Sequence, residues 1–158
     1  MTVGEHLAFL AQFYPTWDAA YTGDLARRLG LPLGDKVGTL SKGTKVKLAF
    51  VAAEAFRPPV LLLDEPTSGL DPVVRREVID AILERFPDAG SRLVVFSTHI
   101  LEDVEGLAER VVVLADGAVR RDATIAELRR EQPDETLSNI LYGILTNGTP
   151  PTRRVAGG

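Results

Sequence analysis

The sequence predicts an α/β fold, a parallel sheet with a helical lobe inserted ahead of it, and three observations carry that prediction. Residues 1–57 place apolar side chains at helical spacing. From residue 58 onward, short unbroken apolar runs appear instead, each closed by turn-forming or charged residues. These runs alternate with helical stretches in the order strand, helix, strand, helix, strand, which is the pattern of a parallel sheet with crossover helices.

Taken in order, Thr2 and Glu5 have capping-box spacing, and Val3, Leu7, Leu10 and Phe13 recur at helical intervals until Pro15. A second helix runs from about Trp17 to Leu29, where Gly30 and Pro32 stop it. A third starts after Ser41, with Val46, Ala49, Phe50, Ala53 and Phe56 along one face, and ends before Pro58-Pro59. Val60–Leu63 then reads as a strand buried on both faces. Pro72 opens the next helix, with Asp71 as its cap and Val74, Val78, Ile82 and Phe86 inward. Arg92–Ser97 is a second buried strand, followed by a helix over Leu101–Ala108. Arg110–Leu114 is a third strand, turned at Asp116-Gly117 into Ala118–Arg121 as a hairpin. Thr124 and Glu127 form another capping box, and Leu137, Ile140, Leu141, Ile144 and Leu145 mark a last amphipathic helix. The organisation expected is a helical subdomain over 1–57, an α/β core over 58–131, a C-terminal helix over 132–145 and a Gly/Pro-rich, apolar-poor disordered tail over 146–158.

Composition narrows the function. The 158 residues are 45% apolar and 25% charged, with a net charge of −4, ordinary for a soluble domain with a real core. With no cysteine, disulfides, thiolate metal sites and Cys nucleophiles are excluded, and a reducing compartment fits. No apolar run reaches the ~18–20 residues of a membrane span, and the N-terminus lacks the pattern of a signal peptide. A mildly acidic chain gives no electrostatic reason to expect nucleic acid as a partner. The four lysines, Lys36, Lys42, Lys45 and Lys47, share one short window, and none follows a glycine. A phosphate-cradling P-loop requires a Gly-Lys pair, so these residues contain none.

The strongest local signal is Leu61-Leu62-Leu63-Asp64-Glu65-Pro66, an apolar strand that delivers two carboxylates at its C-terminal end, where open α/β sheets bind ligands. Asp64 suits a Mg²⁺ ion carrying nucleotide phosphates, directly or through water. Glu65 points elsewhere, because strand side chains alternate, and suits a general base polarising an attacking water. Ser41 caps the third helix and with the following N–H groups presents partial positive charge to an anion. Lys45 and Lys47 read as a solvated helix face, as do the acidic Glu102, Asp103, Glu105 and Glu109. Ser97 and His99 with an Asp nearby do not make a catalytic triad, because no nucleophile elbow surrounds Ser97.

The ordered set Leu40-Ser41-Lys42-Gly43-Thr44, Val60–Pro66, Ser68-Gly69-Leu70-Asp71 and His99 resembles the nucleotide-binding subunit of ABC transporters over residues 1 to 145. In this resemblance they are the signature loop, the Walker B strand, the D-loop and the switch histidine. Phe13–Asp18 (FYPTWD) and the form LSKG are most similar to the antibiotic-resistance and bacitracin-export types. The resemblance implies a P-loop NTPase-like sheet, incomplete here, with ATP and Mg²⁺ as cofactors. It implies that Glu65 and His99 are catalytic, Asp64 holds the metal, and Ser41, Lys42, Gly43, Thr44 and Asp71 contact nucleotide. The signature is expected to face the γ-phosphate of an ATP held by a second subunit. Lys42 and Thr44 depart from the commoner Gly and Gln, and Lys42 adds a cation there. The partners implied are a transmembrane transporter subunit and a second nucleotide-binding subunit, at the cytoplasmic face of a membrane, or in the cytoplasm if unassembled.

The resemblance begins at Met1, just past the position of the family's Q-loop glutamine, and its P-loop has no counterpart here. The expectation is therefore an N-terminally truncated ATPase that neither binds ATP at micromolar levels nor hydrolyses it alone. The apolar flank of Leu61–Leu63 is expected to lie exposed, with poor solubility. Two other readings stand beside it. One is a non-enzymatic module docking through residues 1–57 on a transporter membrane subunit. The other is a stand-alone Mg²⁺-dependent hydrolase using Asp64, Glu65 and His99, which leaves the signature and D-loop unexplained.

Overall fold

The computed structural model describes residues 1–83 and 93–146, and they fall into two compact units that divide between Thr98 and His99. In the first unit, helices α1 (Val3–Ala11), α2 (Ala19–Arg28) and α3 (Lys42–Glu54) precede strand β1 (Val60–Asp64), helix α4 (Pro72–Leu83) and strand β2 (Leu93–Ser97). Each of the first three helices starts on a side-chain cap. Thr2 and Glu5 close a reciprocal capping box, Asp18 accepts from the Tyr21 N–H, and Ser41 accepts from the Thr44 N–H. Gly30, at a φ of 64°, takes the chain out of α2 as the stop signal predicts.

Tertiary contacts then set the faces. The Asp18 N–H donates to the Ala55 carbonyl at 2.7 Å, and the Asp18 carboxylate pairs with Arg57 at 3.1 Å, so the start of α2 docks on the end of α3. Tyr14 stacks on Phe56, with ring centroids 4.5 Å apart. Helix α3 buries Leu48, Phe50, Val51 and Glu54, whereas Ala49 is exposed and Val46 and Ala53 only half-buried. The inward face is thus rotated from the one the spacing predicts, because α2 and α4 cover α3 from two sides. Lys47 is part of that packing and not a solvated cation. Its ammonium donates to the Leu29 carbonyl at 3.2 Å and pairs with Glu77 at 2.6 Å, with 13% of its side chain exposed. Between α3 and α4 the approach is close: a Cβ on Gly43 would lie 2.7 Å from Val74 Cγ1. Val74 lies on this contact, while Val78, Ile79, Ala81 and Ile82 are buried. Phe86 and Arg92 lie outside the described residues.

Strands β1 and β2 pair in parallel, Val60 opposite Leu93 through Asp64 opposite Ser97. They are not buried on both faces. Leu61 is buried and Leu63 half-buried, but Val60, Leu62, Leu93 and Val95 are exposed, Leu62 by 73%. Of Leu61–Leu63, expected to lie exposed, only Leu62 does, because Leu61 and Leu63 share the covered face.

The second unit holds α5 (Leu101–Leu107), β3 (Arg110–Ala115), β4 (Ala118–Thr124), α6 (Ile125–Glu131) and α7 (Leu137–Leu145). Strand β3 does not extend the parallel sheet. It pairs antiparallel with β4 in a separate two-stranded sheet that reaches Thr124, further than predicted. Asp116 and Gly117, with φ of 52° and 73°, make the tight turn that favours this local partner. Val104, Val113, Ala123, Leu128, Leu137, Ile140 and Leu141 form one core. Asp103 is 1% exposed and so does not belong to a solvated acidic face, unlike Glu102, Glu105 and Glu109. The second capping box forms as predicted, with Glu127 accepting from the Thr124 N–H and hydroxyl. The C-terminal tail, beyond Thr146, lies outside the described residues.

Two outcomes follow from this packing. Gly43→Ala is expected to cost about 1–3 kcal/mol in urea unfolding, because the stiff Val74 side chain cannot yield, and Val74→Ala in the same chain should relieve the clash. The hydrogen bonds from Thr124 hold the Glu127 carboxyl below the usual carboxylate range. Its contribution to stability is therefore present above the ordinary carboxylate pKa and lost as pH falls through the lowered value. NMR titration should show Glu127 moving back up in Thr124→Ala.

Candidate functional site

The two carboxylates leave β1 together but are held differently. Asp64 is the last residue of β1 and faces Ser97, the last of β2. The Ser97 hydroxyl donates to Asp64 Oδ1 at 2.5 Å, the length of a charge-assisted O–H···O⁻ bond. The other Asp64 oxygen makes no hydrogen bond among the described residues, and Asp64 is an exposed residue. Such an oxygen is the hard donor that a Mg²⁺ ion takes. Glu65 turns out of the strand at a φ of 43°, in the left-handed region. Its N–H is held there by Ser97, donating to the carbonyl at 3.1 Å and to Oγ at 2.9 Å.

The chain then folds tightly. The Ser68 N–H donates to the Glu65 carbonyl and the Leu70 N–H to the Thr67 carbonyl, with Thr67 buried and Gly69 at a φ of 66°. Asp71 ends the turn and caps α4, its Oδ1 accepting from the Val73 and Val74 N–H groups at 3.1 Å each. At the start of α3, the Ser41 hydroxyl lies 2.8 Å from the Thr44 hydroxyl and accepts the Thr44 N–H at 3.1 Å. Lys42, exposed, reaches across to the turn, where its ammonium lies against Gly69 so closely that a Cβ would collide with it. Gly43, the second residue of α3, is buried beneath Val74.

The first unit thus brings together Ser41, Lys42, Gly43 and Thr44 on α3 with the turn from Asp64 to Asp71. His99 opens the second unit, exposed, two residues past β2. Among the described residues no group of three or more His, Asp or Glu side chains forms a metal cluster. A single carboxylate with nucleotide phosphates completing the coordination is the arrangement Mg²⁺ commonly accepts. Asp64 fits that metal, whereas the Gly-Lys cradle for the phosphates is not among these 158 residues. Ser97 is the site residue that motif reading passes over. Its signal lies in register, since it ends the strand paired with the one that carries Asp64. Gly69→Ala should cost about 1–2 kcal/mol in chemical denaturation from the positive φ alone, and should displace Lys42, visible as a shift of its side-chain NMR signals.

Three comparisons relate the chain to known proteins. A family model described as "AAA domain, putative AbiEii toxin, Type IV TA system" matches residues 8–102. The chain is 34% identical over 122 residues to the ABC transporter ATP-binding protein YtrB of Bacillus subtilis, covering 77% of this chain and 41% of that one. It is 40% identical over 101 residues to the energy-coupling factor transporter ATP-binding protein EcfA2 of Clostridium perfringens, covering 64% and 34%. The chain spans between a third and a half of the length of such curated relatives. Among solved structures, an ATP-binding subunit of an ABC transporter superposes with a TM-score of 0.75 at 28% identity, covering 91% of this chain and 62% of that one. No helix among the described residues is long and apolar enough to cross a membrane. The fold is the α/β fold of the P-loop NTPases, the relatives that the chain resembles are ATP-binding proteins of ABC transporters, and the chain belongs to the AAA-domain family that the model describes.

Proposed function

We propose that this chain is part of the ATP-binding subunit of an ABC transporter that couples ATP hydrolysis to export. The observation that carries the reading is the meeting, within one unit, of the Ser41–Thr44 helix start with the turn that follows Asp64 and Glu65, Lys42 lying on Gly69. In this reading Asp64 would hold Mg²⁺ through its open oxygen. Glu65 would take the proton of an attacking water, and His99 would contact the terminal phosphate. Ser41, Lys42, Gly43, Thr44 and Asp71 would face a nucleotide carried by a second nucleotide-binding subunit. The subunit would work at the cytoplasmic face of the membrane, bound to a transmembrane subunit that selects the cargo, and would be cytoplasmic when unassembled.

Phosphoryl transfer rests on positioning and charge stabilisation, to which a P-loop contributes heavily. These 158 residues, expressed as such, are therefore proposed neither to bind MgATP at micromolar concentrations nor to hydrolyse it. Titration calorimetry with MgATP is the test, and tight binding overturns the proposal.

A second reading has its own observation. Phe9, Phe13 and Tyr14 are 45%, 63% and 40% exposed on the α1 side of the helical lobe, a surface suited to a non-enzymatic module docking on a transporter membrane subunit. Co-purification with a membrane subunit without any gain in ATPase activity favours it, and loss of co-purification in Phe13→Ser ties the contact to this patch.

A further inference from the structure

The Ser97 hydroxyl makes two directed hydrogen bonds at once. A serine carries one proton and two acceptor lone pairs, so each bond fixes the role of the other. Because the hydroxyl donates its proton to Asp64 Oδ1, the contact with the Glu65 N–H must use a lone pair. The carbonyl of the same residue accepts that N–H as well. Ser97 is thus bonded both to the carboxylate of Asp64 and to the backbone of Glu65, at the point where the chain leaves β1 with a positive φ.

We propose that Ser97 is a positioning residue: its hydroxyl commits one Asp64 oxygen and leaves the other for a metal, and it holds the Glu65 backbone in its left-handed conformation. The proposal deepens the nucleotide-metal reading above and rests on it for the use of the second oxygen. The alignment itself stands on geometry alone. Both strands end in register, so the serine meets Asp64 without any adjustment of the backbone. The left-handed region is costly for glutamate, and the paired acceptors on Ser97 offset that cost locally.

The test compares Ser97→Thr, which keeps the hydroxyl, with its isostere Ser97→Val, which removes it. Both residues suit a strand, so the comparison does not hinge on folding. The first readout is amide hydrogen exchange at Glu65 in the 158-residue chain, with the Leu61 and Leu63 amides, which face β2, as controls for an intact β1. Losing one acceptor should speed exchange at Glu65 about three- to tenfold in Ser97→Val, the range set by one net hydrogen bond, with Ser97→Thr close to the unsubstituted chain. The second readout is paramagnetic broadening of the Asp64–Pro66 signals by added Mn²⁺, where Ser97→Val should need severalfold more metal and Ser97→Thr should not. Equal exchange at Glu65 in the two variants overturns the proposal, as does exchange that rises alike in both. If the exchange difference is present but Mn²⁺ broadens nothing in the unsubstituted chain, the positioning role stands and the metal reading of Asp64 falls.

Discussion

Asp64 and Ser97 meet across the parallel pair β1–β2, and the rest of the candidate site is laid out from that register. A strand side chain changes face with every one-residue slip. A slip of β2 by one position would put Thr98 or Phe96 opposite Asp64 and turn its hydrogen-bonding partner to the other side of the sheet. The N–H of Glu65 would lose both acceptors on Ser97, and the turn through Gly69 would start from a different direction. What fixes the register is the apolar contact on the covered face, where Leu61 is buried and Leu63, Val94 and Phe96 are partly so. The polar site at one end of the strands therefore depends on ordinary hydrophobic packing along their length.

The same alternation explains the opposite face. Val60, Leu62, Leu93 and Val95 are brought together by the pairing and left exposed. From sequence, an unbroken run such as Val60–Leu63 reads as a strand covered on both sides, because such runs occur where helices pack on both faces. The run specifies that its surroundings must be apolar but not which segment supplies them. For β3, a tight turn through Asp116-Gly117 delivers an antiparallel partner within a few residues. Local closure of a hairpin competes well against a distant parallel partner, since the loop to be closed is short.

What was legible in the sequence was local. The capping boxes at Thr2 and Thr124, the caps at Ser41 and Asp71, the stop at Gly30 and the hairpin turn are each written within a few neighbouring residues, and each is found. What was not legible depends on partners far along the chain. Lys47 is indistinguishable from a surface lysine until Leu29 and Glu77 are placed around it. Asp103 sits in an acidic stretch whose neighbours are exposed, and only packing removes it from water. Gly43 stands in the sequence only among the implied nucleotide contacts, and its closeness to Val74 of the same unit depends on how α3 and α4 pack. Ser97 carried no motif of its own, and its role depends on pairing 33 positions away.

Two residues of the site turn have positive φ, and the chain treats them differently. At 69 it places glycine, which enters the left-handed region without a steric cost and leaves room for the Lys42 ammonium. At 65 it places glutamate, at a φ of 43°. A long side chain there costs about 1–2 kcal/mol over a residue at ease in that region, and Gly or Asn would relieve much of it. Glu65 is exposed, so burial of its side chain does not offset the cost. The backbone hydrogen bonds to Ser97 show how the conformation is tolerated, but they would form equally well with glycine, because they use only the N–H. Strain of this kind, tolerated and then supported by neighbours, recurs at residues that serve chemistry, and the general-base role proposed for Glu65 is in keeping with it.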